Sequence, residues 1–270
     1  KLAVIVAFRG SAKSTIITTA YVLWSVFGVQ QKKFVIIFGQ TEQKARVYLT
    51  QIKNQLLHND LLKKDLGPFE EERNSLGNAT AIIIKKLNVK IMISSVEQSI
   101  RGTRHDEHRP DLIILDDIED TNSVKTREGR EKAFNWLTSE VLPAGSKRTR
   151  FIAIGNLLHD DSVLKRLQKK IEGKEMKYMN GVYREYPVID DKGNPLWPGK
   201  YPTPEDIEIQ KETIMNEITW SREFLLKIIS TTEQVVHPEW IQFYNQAPRE
   251  NFRSIAIGID LAVSEKESAD

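Results

Sequence analysis

A short basic loop near the amino terminus has residue types that could bind phosphate. The stretch RGSAKS, residues 9–14, follows an apolar run and precedes a helical pattern. A phosphate-binding loop needs converging backbone N–H groups, a helix amino terminus behind them and a cation that reaches the outer phosphates. Lys13 would be that cation for the β- and γ-phosphates, Ser14 would hold Mg²⁺ through its hydroxyl group, and Thr15 could contact the α-phosphate.

Two alanines depart from the glycine pattern of such loops. Gly10 supplies backbone freedom, but Ala7 and Ala12 stand where a nucleotide-binding loop usually has glycine. The methyl group of alanine is small, and we expect it to be accommodated if the φ angle is negative. Taken alone, the loop therefore predicts a phosphate site and a plain strand-turn-helix about equally well.

Two adjacent carboxylates follow a wholly apolar segment in DLIILDDIED, residues 111–120. Neighbouring carboxylates repel each other, so they must be solvated, paired or bound to a cation. Asp116 would suit Mg²⁺, which takes few protein carboxylates and keeps its water ligands. Asp117 would then orient or deprotonate an attacking water, and Glu119 competes with it for that role. Solvated acids at a strand end are the alternative, but two such motifs in this chain order favour a joint site.

An amide follows a second buried strand pattern, in FIAIGN, residues 151–156. Asn156 at this place could contact a γ-phosphate or a water molecule and so distinguish one bound nucleotide from another. A helix-entry turn capped by Asp160 or Asp161 explains the same residues at least as well.

Three arginines precede the acidic strand, at positions 101, 104 and 109. An arginine that reaches the γ-phosphate of a neighbouring subunit would stabilise the transition state of phosphoryl transfer. A solvated loop and a DNA-facing loop are the alternatives. The intervening HDEH, residues 105–108, contains metal-binding residue types, but metal binding needs a geometry that residue types alone do not indicate.

Strand and helix patterns alternate along the first part of the chain. Strands are predicted at 2–7, 33–39, 111–115 and 150–154, a hairpin at 79–94, and helices at 14–27, 41–59 and 126–142. Apolar strands separated by helices predict an α/β fold, a mostly parallel sheet with helices on both faces. Ligands bind at the carboxyl ends of such strands, so we expect the loop, the acid pair and Asn156 to converge there. Residues 190–206 are rich in proline and glycine, and helical segments at 204–216 and 219–229 follow.

Composition limits the class of protein. Hydrophobic residues make up 40% and charged residues 28% of the 270 residues, and the net charge is +2. These values are typical of a soluble globular protein and do not by themselves indicate a nucleic-acid binder. The chain contains no cysteine and no apolar run long enough to cross a bilayer, so we expect an intracellular protein without disulfides or membrane association. The chain begins inside a strand pattern and stops just after a new one has begun, and we interpret it as a piece of a longer polypeptide.

The ordered set of motifs resembles the large terminase subunit of tailed bacteriophages, the ATP-driven DNA-packaging motor and genome-cutting nuclease. The motifs are AFRGSAKST, IRGTRHDEHRPDLIILDDIED, a tryptophan-bearing helix, IGNLLHDDS, LWPGKYP and IGIDLA, and they cover nearly the whole chain. The resemblance implies a RecA-like (ASCE) P-loop NTPase core with an additional strand between the nucleotide motifs, plus a small helical linker subdomain. It implies ATP and Mg²⁺ as cofactors. The family's adenine-binding segment, which precedes the phosphate loop, is not among these motifs.

The resemblance also assigns roles to residues of this chain. The family's nucleotide motifs are matched position by position by Lys13, Ser14, Asp116 and Asp117. Arg9 matches an arginine that is common early in the Walker A loop of terminases. Asn156 looks like the coupling motif, and Arg101 or Arg104 is the candidate arginine that acts on a neighbouring subunit. The nucleotide-binding set is Arg9, Gly10, Ser11, Ala12, Lys13, Ser14, Thr15 and Asn156; the catalytic candidates are Asp117, Glu119, Arg101 and Arg104; the metal candidates are Ser14, Asp116 and Asp260.

Asp260 matches the first metal-binding aspartate of the family's RNase H-like nuclease. One carboxylate cannot support two-metal cleavage, so we expect no nuclease activity from this piece. The resemblance implies an ATPase core at 1–172, a linker or lid at 173–250 and the first nuclease strand at 251–270.

The predicted function is an ATP-hydrolysing motor that drives double-stranded DNA into a procapsid. The resemblance implies a homo-oligomeric ring, expected to be a pentamer, which works with the portal protein and the small terminase subunit in the host cytoplasm. The alternatives are a helicase-like ATPase with the same core and a degenerate nucleotide fold that binds DNA. Unwinding of a forked duplex would indicate the first alternative, and absence of Mg-ATP binding the second.

Overall fold

The strands form one sheet. The computed structural model describes residues 1–69, 80–96 and 98–228, and within these ranges seven strands lie in the order β3-β4-β2-β5-β6-β1-β7. The strands are β1 Leu2–Ala7, β2 Phe34–Gly39, β3 Ala81–Ile84, β4 Val89–Ser95, β5 Leu112–Asp116, β6 Arg150–Gly155 and β7 Val182–Tyr186. Neighbouring strands are parallel except β3 and β4, which form the predicted antiparallel hairpin. The predicted mostly parallel α/β sheet is confirmed.

Helices connect most of the parallel strands. They are α1 Val22–Phe27, α2 Glu42–His58, α3 Asp60–Leu66, α4 Arg127–Trp136, α5 Leu142–Ala144, α6 Val163–Glu172, α7 Pro204–Ile214 and α8 Glu217–Glu223. A π-helical segment, Thr15–Tyr21, leads into α1, and a second one, Leu137–Val141, joins α4 to α5. Thr41 caps α2 by accepting a hydrogen bond from the backbone N–H of Lys44, as its position before the helix predicts.

Apolar side chains cover both faces of the sheet. Every residue of β2 is buried, and successive side chains of a strand point to opposite faces. Phe38 packs in the core on the side of α4 and α6, where its ring lies edge-on to Trp136. Ile37 packs in the core on the side of α1 and α2, together with Ile52. Helices on both faces explain why the central strands are apolar throughout.

A third apolar cluster holds α7 and α8 against the strand that leads into the basic loop. Its buried members are Phe8, Val188, Tyr201, Ile207, Trp220 and Phe224. The rings of Trp220 and Phe224 are stacked with centroids 4.7 Å apart. The loop that follows β1 is therefore packed against residues from the later part of the chain.

Two elements after residue 172 differ from the sequence patterns. The strand β7 was not predicted, and it pairs with β1 at the edge of the sheet. The last helix was predicted to reach residue 229, but α8 ends at Glu223 because Leu226 is left-handed at φ 57° and Lys227 N–H bonds back to the carbonyl of Ser221 at 2.9 Å. Residues Lys1–Ile229 form one compact unit. The predicted division at residue 172 stays a prediction, with β7 of the later region in the same sheet.

Asp260 and the predicted nuclease strand at 251–270 lie outside the described residues. Within the described ranges, no helix combines the length and apolar character that crossing a bilayer would require.

Candidate phosphate-binding site

The basic loop lies between β1 and the helical segment that ends with α1. Its first turn is held by a hydrogen bond from Ser11 N–H to the carbonyl of Phe8 at 3.1 Å, and Gly10 has a φ of +79°. Ser14 begins the helical segment, but its side chain makes no capping bond to the helix. The first N–H groups of a helix have no partner within the helix, so they are available to an anion at this loop.

Ala12 does not meet the condition under which we expected alanine to fit this loop. Its φ angle is +58°, in the left-handed region, and not negative. The loop conformation demands this angle because the chain must turn from β1 into a helix whose first bond runs from Ile16 N–H to the carbonyl of Ala12 at 2.9 Å. Left-handed backbone costs a non-glycine residue roughly 1–2 kcal/mol. Ala7, by contrast, lies at the end of an ordinary extended strand.

Substitutions at residue 12 are expected to change stability in opposite directions. Ala12→Gly should raise the free energy of unfolding by about 0.5 kcal/mol, because the released strain exceeds the entropy that glycine loses on folding. Ala12→Val should lower it by about 1–2 kcal/mol, because a β-branched side chain tolerates positive φ poorly. Urea unfolding measures both. Ala20→Gly is the control, since glycine at this exposed helical position should be destabilising; stabilisation by Ala12→Val would contradict the left-handed conformation.

Three oxygen-bearing side chains meet below the loop. The hydroxyl of Ser14 donates to Asp116 Oδ1 at 3.1 Å, and the hydroxyl of Thr18 donates to Asp116 Oδ2. Asp116 is completely buried at the end of β5. Burial raises the pKa of Asp116 to about 6, against the opposing effect of these hydrogen bonds. The arrangement presents the Ser14 oxygen and a carboxylate side by side, as hard oxygen ligands for a divalent cation.

Asp117 follows directly and turns away from the strand. Its φ is 46°, and its N–H donates to the carbonyl of Ile154 on the neighbouring β6 at 3.0 Å. A Cβ atom on Gly155 would lie 3.1 Å from Asp117 Oδ1, so the glycine permits this carboxylate to lie close to β6. Asp117 lines the cleft above the carboxyl ends of the strands, whereas Asp116 is buried beneath the cleft.

A line of hydrogen bonds joins the loop lysine to a helix at the other side of the cleft. Lys13 Nζ donates to Asn156 Oδ1 at 2.6 Å, and Asn156 Nδ2 donates to Glu223 Oε2 at 2.5 Å. Asn156 follows β6, and Glu223 ends α8. The structure therefore brings Lys13 and Asn156 together as the sequence predicted, and adds Glu223, which the sequence did not indicate.

The cleft around these groups has a volume of about 320 Å³. Basic and acidic side chains both line it: Arg9, Lys13, Lys44, Asp117, Glu119, Asp120, Arg222 and Glu223. The carboxylate of Asp120 is hydrogen-bonded to the local backbone, because it accepts from the N–H of Ser123 at 2.7 Å. Thr15 is exposed on the helical segment and lines a different, apolar groove.

Glu119 is mostly buried and is held by another helix. Its Oε2 accepts a hydrogen bond from Val163 N–H, at the start of α6, at 2.8 Å. Burial raises the pKa of Glu119 to about 7. One carboxylate oxygen of Glu119 is therefore hydrogen-bonded to the amino terminus of α6. Of the two competing acids, Asp117 is the one with fewer contacts that would keep its carboxylate from a water molecule.

The raised pKa of Glu119 makes stability depend on pH. The folded protein keeps this proton up to about pH 7, whereas the unfolded chain releases it near 4.5, so the wild type loses stability as the pH rises through this window. We expect Glu119→Gln to raise the free energy of unfolding more at pH 8 than at pH 5, by up to roughly 3 kcal/mol, since one pKa unit is worth about 1.4 kcal/mol. Urea unfolding at both pH values measures this. Glu128→Gln, at an exposed position on α4, is the control, and an equal effect of Glu119→Gln at both pH values would contradict the prediction.

The candidate trans-acting arginines lie apart from the cleft. Arg101 and Arg104 line a separate depression of about 230 Å³ together with Glu140, which lies 4.0 Å from Arg101. None of the residues that line this depression also lines the phosphate cleft. Within one chain, these arginines do not join the other predicted site residues.

The HDEH stretch is a tight turn. His105 and His108 exchange backbone hydrogen bonds of 3.0 and 2.8 Å, and the ring of His105 lies 6.2 Å from that of Phe34 at the opposite end of the sheet. Over 1–69, 80–96 and 98–228, no group of three histidine, aspartate or glutamate side chains could hold a metal ion.

Sequence reasoning missed three residues of the site. Thr18 follows Ser14 by one helical turn, and this spacing could have revealed it because residues four apart share a helix face. Glu223 has no comparable signal. Lys200, in LWPGKYP, donates from Nζ to the carbonyl of Gly10 at 2.9 Å and lies over the rings of Phe8, Trp197 and Tyr201. Only the motif itself pointed to this part of the chain.

The strand order now defines the class of fold. The strand β6, which carries Asn156, lies between β1, which leads into the phosphate loop, and β5, which carries the acid pair. This parallel sheet, with a loop and helix after β1 and one strand between β1 and the acidic strand β5, has the α/β arrangement that the resemblance implied.

Solved structures share this fold. The chain is similar to the large terminase of bacteriophage HK97, with a TM-score of 0.54 and 15% identity over 84% of this chain and 46% of that chain. It is similar to a mutant ATPase domain of a Thermus phage large terminase, with a TM-score of 0.52 and 12% identity over 84% of this chain and 89% of that domain. It is also similar to a large terminase from a thermophilic bacteriophage in complex with ATP-gamma-S, with a TM-score of 0.50 and 12% identity over 83% of this chain and 47% of that chain.

The chain therefore has the fold of the ATPase domains of phage large terminases. It spans about half the length of the two whole large terminases, 46% and 47%, and most of the isolated ATPase domain. No protein-family model matches the sequence, and no curated protein matches it.

Proposed function

We propose that this chain hydrolyses ATP as the motor domain of a phage large terminase and drives double-stranded DNA into a procapsid. One observation carries the proposal: Lys13 and Ser14 of the loop meet Asn156 and Asp116 at the carboxyl ends of adjacent strands, at 2.6 and 3.1 Å. The fold supports it, because structures of the same fold were solved with ATP-gamma-S and with ADP.

The loop would bind the phosphates of ATP. Backbone N–H groups at the start of the helical segment and the ammonium group of Lys13 supply positive potential where the polyphosphate would lie. Arg9 is exposed at the cleft and would add a second cation, with Gly10, Ser11 and Ala12 shaping the loop. Asn156 would contact the terminal phosphate, whereas the predicted contact of Thr15 with the α-phosphate has no support from its position in the other groove.

The residues present fit a magnesium ion. Ser14 and Asp116 would hold it, because a hydroxyl oxygen and a carboxylate lie side by side and Thr18 fixes the carboxylate from behind. When bound, Mg²⁺ neutralises charge on the β- and γ-phosphates. Asp116 would also orient the oxygen of Ser14, because it accepts the hydrogen bond of that hydroxyl group at 3.1 Å.

Asp117 would orient the attacking water and accept its proton. The water oxygen forms a bond to the γ-phosphorus while the bond from that phosphorus to the β–γ bridging oxygen breaks, which yields ADP and inorganic phosphate. Lys13 would stabilise charge on the departing ADP, and Arg101 or Arg104 of a neighbouring subunit would stabilise the transferred group. An arginine supplied by another chain is consistent with the separation of these arginines from the cleft within one chain.

Assembly and partners follow from the same proposal. The chain would act in a homo-oligomeric ring, a pentamer, around double-stranded DNA, together with the portal protein and the small terminase subunit in the host cytoplasm. Residues 1–172 would be the ATPase core and 173–250 a linker or lid that moves with the nucleotide state. Asp260 would be the first metal ligand of a nuclease domain that begins at 251–270.

Complementation between two inactive variants tests the shared active site. A chain with Lys13→Ala keeps its arginines, and a chain with both Arg101→Ala and Arg104→Ala keeps its phosphate loop. Each alone should release little phosphate from Mg-ATP, whereas their mixture should recover activity, because an arginine finger is worth about 10³–10⁵ in kcat. The rate per wild-type chain should also rise with protein concentration.

Arg109→Ala is the matched control, since Arg109 lines the same depression and donates to the carbonyl of Pro143. Its activity should resemble that of the wild type. A double arginine variant with full activity would exclude the trans role, and absence of hydrolysis by the wild type at every concentration would favour a degenerate nucleotide fold.

A further inference from the structure

The carboxylate of Glu223 is buried and tied to the phosphate cleft at two points. Its side chain is 9% exposed, and Oε2 accepts from the Asn156 amide at 2.5 Å. Its backbone carbonyl accepts from Arg9 N–H, in the phosphate loop, at 2.8 Å. One residue at the end of α8 thus contacts both the loop and the strand that lies between the two nucleotide motifs.

The hydrogen bonds fix the orientation of the Asn156 amide. An ionised carboxylate can only accept hydrogen bonds and an ammonium group can only donate them, so the amide nitrogen must face Glu223 and the oxygen must face Lys13. Without Glu223, only the hydrogen bond from Lys13 would oppose a flip of the amide among the described contacts of Asn156, and a phosphate that draws Lys13 away would remove it. The contacts with Lys13 and Glu223 therefore also fix the direction of the second N–H of the amide.

Glu223 is also connected to the core of the α7–α8 region. Trp220 lies one helical turn before it, is 4% exposed and stacks on Phe224. Arg222 balances the charge, with Nη2 3.3 Å from Glu223 Oε1. A buried carboxylate that loses a hydrogen-bond donor is strongly destabilised, so a shift of Asn156 would be transmitted to Glu223 and to the packing around it.

We propose that Glu223 is a positioning residue that orients the Asn156 amide and transmits occupancy of the phosphate site to α8. Phosphate at the loop draws Lys13 from Asn156, the amide moves, and the carboxylate of Glu223 follows with the end of α8. The inference rests on the proposed nucleotide binding, and it names the residue through which that binding reaches the α7–α8 segment.

The fluorescence of Trp220 reports on this step. Wild-type protein titrated with Mg²⁺ and ATP-gamma-S should show a change in tryptophan emission. Trp220→Phe should remove this change although the variant retains the other four tryptophans, which would assign the change to Trp220. Glu223→Ala should bind the analogue within about tenfold of the wild-type Kd and lose most of the emission change. Glu223→Gln keeps an oxygen that can accept from Asn156 and should retain part of it.

Glu217→Gln is the matched control, because Glu217 is exposed in the first turn of the same helix and its variant should respond like the wild type. A full emission change in Glu223→Ala overturns the inference while nucleotide binding stands. Failure of the wild type to bind the analogue overturns the proposed function and the inference with it. If Glu223→Ala does not fold by circular dichroism, Asn156→Ala decides at saturating ATP-gamma-S, with binding measured separately: loss of the emission change in the bound variant supports the relay, and retention overturns it.

Discussion

Replacing Lys13 with alanine is expected to reduce phosphate release from Mg-ATP by at least about 100-fold, to the background rate. The loop directs the ammonium group of Lys13 to the carboxyl ends of the strands. Its hydrogen bond to Asn156 at 2.6 Å places it beside the acid pair. Its removal takes away a donor that acts in binding and in the transition state, so KM should rise and kcat should fall. Lys13→Arg should also lose most activity, because a planar guanidinium cannot replace a compact ammonium group in a tight loop.

A lysine remote from the loop provides the comparison. Lys192 is exposed in the turn between β7 and α7, and Lys192→Ala should keep the wild-type rate. Phosphate release measured over a range of ATP concentrations separates KM from kcat. Undiminished hydrolysis by Lys13→Ala would show that the loop does not bind the phosphates and that the activity arises elsewhere.

Asp117→Asn is expected to lower kcat by about 10²–10⁴ while the affinity for ATP changes only a few-fold. The reason is geometric: Asp117 lines the cleft, held at φ 46° beside Gly155, so its carboxylate can face a water at the terminal phosphate. Asparagine keeps the shape and removes the base. Single-turnover hydrolysis together with equilibrium binding of ATP-gamma-S measures the two effects separately.

Glu119→Gln distinguishes the two acids. Because Oε2 of Glu119 is engaged by the N–H of Val163 at 2.8 Å, we expect this change to lower kcat less than about tenfold. Its main consequence should be the pH-dependent gain in stability derived above. A larger loss of kcat in Glu119→Gln than in Asp117→Asn would assign the base to Glu119 instead.

Much of the architecture was predictable because it depends on local patterns. Apolar runs such as FVIIFG specify buried strands, and the amphipathic segments between them specify helices, so a mostly parallel sheet with helices on both faces follows. Convergence of polar groups at the carboxyl ends of the strands follows from that sheet. The strand β7 escaped prediction because VYREY lies at the edge of the sheet, is mostly exposed and has no continuous apolar run.

The sequence by itself determined which residues could bind phosphate and a divalent cation, namely the RGSAKS loop, the acid pair and the amide after β6. Only the tertiary structure decided how they meet. Lys13 and Asn156 are 143 residues apart, Ser14 and Asp116 are 102 apart, and Asn156 and Glu223 are 67 apart. Contacts over such separations depend on the order of strands in the sheet and on the packing of α8, and neither leaves a local pattern. The positive φ of Ala12 is likewise imposed by the turn from β1 into the helix, against the preference of the residue itself.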